Sequence, residues 1–333
     1  VTLNFSRRAA IGLGAAAATT VALGQTAHAE ETDSYAGVDR IRGRYLGQKT
    51  RVGGNWHSHV AVINDSGGLD AIVDDDADAV TNAYSVQKVA VAVTVMDKID
   101  RGLLRLDDKL DLPANLILGG SGIYHLHGVY GDQITIANFL TALLLMSDNT
   151  AVRMCGRVVP ALEVNEILAA KGFVHTRVQP VANPNRFFLG VTTPREVHDL
   201  MWRLANKTLL SPASCDFLLR IMRWVNGYHD GIRRNMSSDE RSRIATKYGA
   251  DFNTLGAQRN EAGIMFGADG APVLTYAFFT DSLGDLGNYG ATHPAVEAHA
   301  VLGRVMFDTI NRQTRPGIAA RHHVERFEPV NGG

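Results

Sequence analysis

Along the chain, apolar positions switch repeatedly between the spacing of a helix and that of a strand. Residues 38–46 carry helical spacing. Residues 57–64 alternate as a strand, residues 65–68 (Asp-Ser-Gly-Gly) read as a turn, and residues 69–73 follow as a second strand, so a hairpin is predicted. Between Ser85 and Ile99, Val89, Val91, Val93 and Val95 alternate with Ala and Thr, which locally favours a strand. A run of about 15 apolar residues without a turn signal nevertheless fits a buried helix better, and a helix is expected. Further helices are predicted over residues 134–146, 161–170, 194–204 and 212–225. The second of these follows Pro160, and Thr193-Pro194 with Glu196 opens the third. Strands follow at 244–248, 263–266 and 273–280, the last two joined by residues 267–270 (Gly-Ala-Asp-Gly), and an amphipathic helix at 294–311 closes the pattern. Strands at both ends of the pattern around a helical block predict one sheet built from both ends and covered by helices, together with an all-helical lobe.

Composition places this pattern in a soluble globular chain. Hydrophobic residues make up 45% and charged residues 20%, which excludes disorder as the main state. With 33 Lys+Arg against 34 Asp+Glu, there is no bulk electrostatic reason to bind nucleic acid or an anionic membrane, and neither is expected as a partner. The first residues stand apart: Ser6-Arg7-Arg8, an uncharged run over 9–23, and Ala27-His28-Ala29 have the layout of a secretory signal of the twin-arginine type. The expected organisation is therefore a signal at 1–29, a catalytic domain at 30–313 and a polar tail at 314–333, in an exported protein with no membrane association after cleavage. Cys155 and Cys215 are the only cysteines, so no disulfide framework carries the fold. Both sit in apolar helical contexts and are expected as buried thiols rather than as a bridge.

Three short motifs carry candidate chemistry. Ser85-Val86-Gln87-Lys88 places a serine and a lysine at i and i+3, on one face at the start of a helix. A lysine there can take the serine proton if burial or a neighbouring cation depresses its own pKa. Ser147-Asp148-Asn149 offers a hydroxyl for proton transfer and an amide for substrate hydrogen bonds. Lys247-Tyr248-Gly249 supplies a second cation on a strand and, at the glycine, close backbone approach.

The order S-x-x-K, S-D-N and K-T-G is the signature set of penicillin-binding proteins and class A β-lactamases, and this chain resembles class A β-lactamases over roughly residues 37–311. Residues 102–107 (Gly-Leu-Leu-Arg-Leu-Asp), Thr192-Thr193-Pro194 and Arg259-Asn260 add to the resemblance. It implies an α/β (α+β) two-lobed fold, with an antiparallel five-stranded sheet flanked by helices, a helical lobe and the site between the lobes. It also implies Ser85 as acylating nucleophile, Lys88 as its base, and Ser147, helped by Lys247, as proton shuttle to the leaving nitrogen. Asn149 would bind the substrate's amide. The backbone N–H groups of Ser85 and Ala250, beside Gly249, would form an oxyanion hole, worth roughly 3 to 4 kcal/mol per donor in comparable enzymes. Arg259 falls where some relatives bind the substrate carboxylate, a task suited to a guanidinium. No cofactor and no metal are implied. The expected partner is a small acyl donor, β-lactam-like or peptide-like, bound to a monomer.

Two departures qualify that implication. Where class A enzymes carry a glutamate that activates the deacylating water, this spacing gives Asn183, in Val181-Ala182-Asn183-Pro184-Asn185-Arg186. An amide can orient water but cannot take its proton. Glu163 and Glu166, on the preceding helix, read as its solvent face. The second departure is Tyr248, where the family has Thr or Ser, and a phenol there should narrow the carboxylate end of the pocket. Acylation through Ser85 with slow or atypical deacylation is the resulting expectation. The alternatives are a transacylase or esterase using the same nucleophile, or a β-lactam or peptidoglycan-fragment binder without turnover. The pairs His57/His59 and His125/His127, and His322-His323, could ligate zinc only with further ligands, and no Cys or carboxylate cluster accompanies them at ligand spacing. Tyr124 is a candidate wall of the pocket entrance. The run Arg220, Arg223, Arg233, Arg234, Arg241 and Arg243 is expected to be a solvated face.

Overall fold

The computed structural model describes residues 37–64 and 66–313. The signal at 1–29, the tail at 314–333 with His322-His323, and Asp65 of the first turn lie outside the described residues.

Five strands form one antiparallel sheet in the order β2-β1-β10-β9-β8: β1 (Asn55–Ile63), β2 (Leu69–Asp75), β8 (Ile244–Asn253), β9 (Gly256–Phe266) and β10 (Pro272–Asp281). Strands from both ends of the described chain thus meet at the β1–β10 pair, where His57 faces Phe279. Alternation along each strand sends side chains to opposite faces. Ile264, Phe266, Ala277 and Phe279 enter one core, while Met265, Leu274, Tyr276 and Phe278 enter a second. The second core is closed by helix α1 (residues 37–52), through Ile41 and Tyr45, and by α9 (Pro294–Gln313), through Leu302 and Met306.

The first core continues without a break into the helical lobe. That lobe contains α2 (Lys88–Asp100), α3 (Ile136–Leu145), α4 (Asn149–Val158), α5 (Ala161–Ala170), α6 (Pro194–Ala205) and α7 (Pro212–Met222), with a short α8 (Ser238–Ser242) leading into β8. Every residue of α2 from Lys88 to Met96 is buried. The valine alternation that locally reads as a strand is overridden because this segment lies in the middle of the lobe, where a helix satisfies its own backbone and a lone strand could not. Cys155 and Cys215 are both buried free thiols, as expected.

The helical lobe also carries two small sheets, where an all-helical lobe was expected. One is the pair β4 (Lys109–Asp111) and β5 (Gln133–Thr135); the other runs β3-β7-β6, from β3 (Thr81–Asn82), β6 (Arg177–Pro180) and β7 (Phe187–Thr192). Each strand has two to six residues, too few for an alternation to register in sequence. Residues 187–192, for which the pattern predicts no element, form β7, and β3, its partner, leads into the turn that carries Ser85.

The arginine run is a solvated face only in part: Arg220 and Arg234 are exposed, whereas Arg223, Arg233 and Arg243 are drawn inward. Arg233 is 1% exposed and donates to the carbonyls of Tyr228 and Trp224; Arg223 lies over Phe266 and Arg243 over Phe307. Arg223 and Arg243 thus cover aromatic rings with their flat guanidinium groups, and Arg233 binds main-chain carbonyls, where the chain crosses from α7 to β8.

Candidate active site

Ser85 sits in a single 3-10 turn (Tyr84–Gln87) that feeds α2. Residues three apart eclipse in such a turn, so Ser85 and Lys88 share a face. Tyr84 adopts φ +45, a left-handed conformation costly for a bulky residue. The turn is held there by hydrogen bonds from Ala83 N to Gly190 O (3.0 Å), from Gln87 Nε2 to Val191 O (3.2 Å), and from Asn260 Nδ2 to Asn82 O (2.9 Å).

Edge strand β8 runs against this turn. A Cβ on Gly249 would lie 2.9 Å from Ser85 N and 2.8 Å from Val86 N, so only glycine allows the approach. The same strand brings Lys247 into the cleft, and the α3–α4 junction brings Ser147 from the opposite side. Ser147 has φ +54, at a helix terminus where glycine is the usual residue for that conformation. Its hydroxyl oxygen accepts from Lys88 Nζ (3.1 Å) and from Lys247 Nζ (2.9 Å), so one oxygen joins the two lysines. Lys88 also donates to Ser147 O (2.5 Å) and Asn149 Oδ1 (2.8 Å). Both amines are buried. Desolvation lowers Lys88 to about 7; burial first, and then the Lys88 charge, lowers Lys247 well below its ordinary value.

Asp148 makes this junction rigid. It is fully buried, caps α4 through Ala151 N (2.9 Å), and accepts from Ile123 N (2.6 Å) and Tyr124 N (2.9 Å) across the cleft rim. The motif reading gave it no role, although a carboxylate ahead of a helix is itself an N-cap signal.

Ser85, Ser147, Asn149, Lys247, Tyr248, Gly249 and Ala250 line one cleft of about 650 Å³ between the sheet and the helical lobe. Asn149 is braced as well as exposed to the cleft, since Nδ2 donates to Gly119 O (3.0 Å). Two expected site residues lie elsewhere. Arg259 is 0% exposed and its guanidinium is spent on the carbonyls of Asp251, Gln258, Leu286 and Asn288, so it is not placed to bind a carboxylate in the cleft. Asn183 is exposed in the β6–β7 turn, where its Oδ1 accepts from Asn185 N (3.0 Å), and it is not among the residues lining the cleft. Glu166 is exposed, and Glu163 pairs with Lys98 (2.8 Å) on the outside of the lobe.

Tyr124 is buried and lines a separate hollow with Ile123, His127 and Met146, not the Ser85 cleft. His57 is held between Asp76 (2.7 Å) and Asp281 (3.1 Å), and His59 packs edge-on against His198. Among the described residues no group of three or more His, Cys, Asp or Glu is placed to hold a metal ion. Cleft residues that the motifs did not reveal are Tyr84, Tyr228 and Tyr289, which join Tyr248 from four distant parts of the chain. Their scatter leaves no local signal.

Comparison with known proteins agrees with this architecture. Solved β-lactamases from Sphaerobacter thermophilus DSM 20745 (20% identity, TM-score 0.66, 82% of this chain and 96% of that one), Xanthomonas campestris pv. campestris str. ATCC 33913 (20%, 0.67, 83% and 99%) and Chitinophaga pinensis DSM 2588 (19%, 0.68, 81% and 99%) share the fold. No curated protein sequence matches. A model of the beta-lactamase enzyme family matches residues 53–310, most of the described chain, and on that match the protein belongs to the beta-lactamase enzyme family.

Proposed function

We propose that the protein is an exported serine hydrolase that opens a lactam or amide through an acyl-enzyme at Ser85 and releases the acyl group slowly. The observation that carries this reading is the Ser147 hydroxyl held by both Lys88 (3.1 Å) and Lys247 (2.9 Å) in the cleft that Ser85 lines. An amine lowered to about 7 is substantially neutral at physiological pH, so Lys88 can take the Ser85 proton as Oγ attacks the carbonyl. Ser147 then passes a proton to the leaving group and recovers one from the lysine pair. In this reading the backbone N–H groups of Ser85 and Ala250 stabilise the developing oxyanion, a role supported by the close approach of Gly249 to Ser85 N.

Slow release follows from the chemistry of Asn183, which cannot act as a base, and from its exposed turn outside the cleft. The carboxylates that line the cleft are Asp230, which acts on Tyr228 and Tyr248, and Asp251, which accepts from the Tyr289 hydroxyl; neither bonds to Lys88 or Ser147. Intact-mass measurement after mixing with a penicillin, and separately with a phenylacetyl thioester, should show an adduct that persists on Ser85 and is absent in Ser85→Ala. No adduct with either compound overturns acylation; fast turnover overturns slow release. Product analysis separates the transacylase or esterase reading, which yields a new ester or amide, from hydrolysis, which yields the free acid. A binder without turnover yields neither and retains its affinity in Ser85→Ala. Export by the twin-arginine route is tested by Arg7→Lys with Arg8→Lys, which should hold the protein inside the cell.

A further inference from the structure

On the leaving-group side of the cleft, four observations concern charge. Ser147 and Lys247 mark that side, and Tyr248 follows Lys247 on the same strand. First, Tyr248 fills the place where a small hydroxyl residue was expected. Its ring stacks on Tyr228 at 4.3 Å and 7°, and its hydroxyl donates to Tyr289 O (3.3 Å), so the phenol is spent on the wall. Second, Arg259 is withdrawn behind that wall, with its guanidinium 4.8 Å from the Tyr289 ring centre and saturated by backbone carbonyls. Third, Lys88 and Lys247 are buried on the cleft floor and directed at Ser147. Fourth, Asp230 and Asp251 line the same end, and among the described residues neither forms an ion pair with Lys or Arg.

A carboxylate entering this end meets two carboxylates that, among the described residues, pair with no Lys or Arg, beside the phenol rings of Tyr248, stacked on Tyr228, and Tyr289, backed by Arg259; the cations lining the cleft, Lys247 and Arg233, are already engaged by Ser147 and by the Tyr228 carbonyl. A cation meets the reverse. Tyrosine faces attract a cation, more strongly where water is excluded, and nearby carboxylates add to that attraction. Resting on the serine acylation proposed above, we infer that the acyl donor of this cleft carries a positively charged group on its leaving side, held by Tyr248, Tyr289, Asp230 and Asp251 in place of the carboxylate that a penicillin presents. In the reaction, Ser85 Oγ forms the ester bond, the bond from carbonyl carbon to leaving atom breaks, and the cationic fragment departs with the proton supplied through Ser147.

Three phenylacetyl thioesters that differ only in the leaving thiol test this: thioglycolate (anionic), thioglycolamide (neutral) and thiocholine (cationic). Calorimetric binding to Ser85→Ala reads recognition without chemistry. Thiocholine ester should bind about tenfold tighter than the neutral ester, and the anion weakest, with the cation's advantage falling as salt is raised. Asp230→Asn with Asp251→Asn should reduce the cation to the neutral level and leave the neutral ester unchanged. Equal binding of all three, tightest binding of the anion, or a cation preference untouched by the double substitution overturns the inference. Intact mass of the unsubstituted protein with the same esters reads the underlying acylation. A cation preference in binding with no Ser85 adduct removes the acylation reading alone, whereas adducts formed without the preference remove this inference alone.

Discussion

Burial lowers the Lys88 ammonium to about 7, and among the described residues no carboxylate bonds to it to restore the charge; its hydrogen-bond partners there are Ser147 and the neutral amide of Asn149. A base must be unprotonated to act. Acylation of Ser85 should therefore be flat above about pH 7 and fall about tenfold per unit below it, which stopped-flow acylation between pH 5 and 9 would show. A profile that stays flat down to pH 5 would remove Lys88 as the base. Gly249 is the second residue on which the site turns, because its missing side chain lets β8 touch the backbone of Ser85 and Val86. Gly249→Ala should slow acylation by about 10²-fold or more, the scale of a lost oxyanion donor, while costing about 1–3 kcal/mol in urea unfolding from overpacking. The residue types of the motifs were legible in sequence because their spacing is local. Arg259 was not: the sequence showed a guanidinium at a position suited to a carboxylate, and only the fold shows that main-chain carbonyls of residues 251–288 reach it first.

The two serines of the site are set by the ends of elements, Ser85 in the turn before α2 and Ser147 between α3 and α4, whereas Lys247 and Gly249 come from within edge strand β8. Asp148 caps α4 through Ala151 N and ties that junction to the rim through two further backbone N–H groups, of Ile123 and Tyr124. Asp148→Ala removes an N-cap and strands the buried Tyr124 donor and the part-buried Ile123 donor, at a cost of about 2–4 kcal/mol. Denaturant unfolding should register that loss, and hydrogen exchange at Ile123 and Tyr124 should speed up; a variant as stable as the parent would show that the rim is held by other contacts. Long elements with a strong period were legible: α5, α6 and α9 begin where the sequence places them. The short strands β3, β6 and β7 were not, because pairing with each other, and not any internal pattern, makes them strands.

For the whole molecule, the decisive feature is that the inner face of the sheet and the helical lobe share one core. Phe279 and Ile264 of the sheet belong to the same buried cluster as Val93 of α2 and Phe139 of α3. The two lobes should therefore unfold together. Far-UV and near-UV circular dichroism should give one coincident thermal transition, and Phe279→Ala should lower it in both probes by the equivalent of about 3–5 kcal/mol. Two separated transitions would show lobes that fold independently. The sequence by itself determined the chemistry available to this protein: a serine with a lysine one turn away, a second serine, a second lysine and an asparagine where a glutamate was expected. It also determined the long helices other than α4 and part of each sheet strand, because these follow from periodicity within a single segment. Only the tertiary structure decided which groups meet. It joined both lysines to one hydroxyl, withdrew Arg259, turned Asn183 out of the cleft and gathered four tyrosines with two carboxylates at one end. Those outcomes depend on contacts between segments up to two hundred residues apart, which no local pattern encodes.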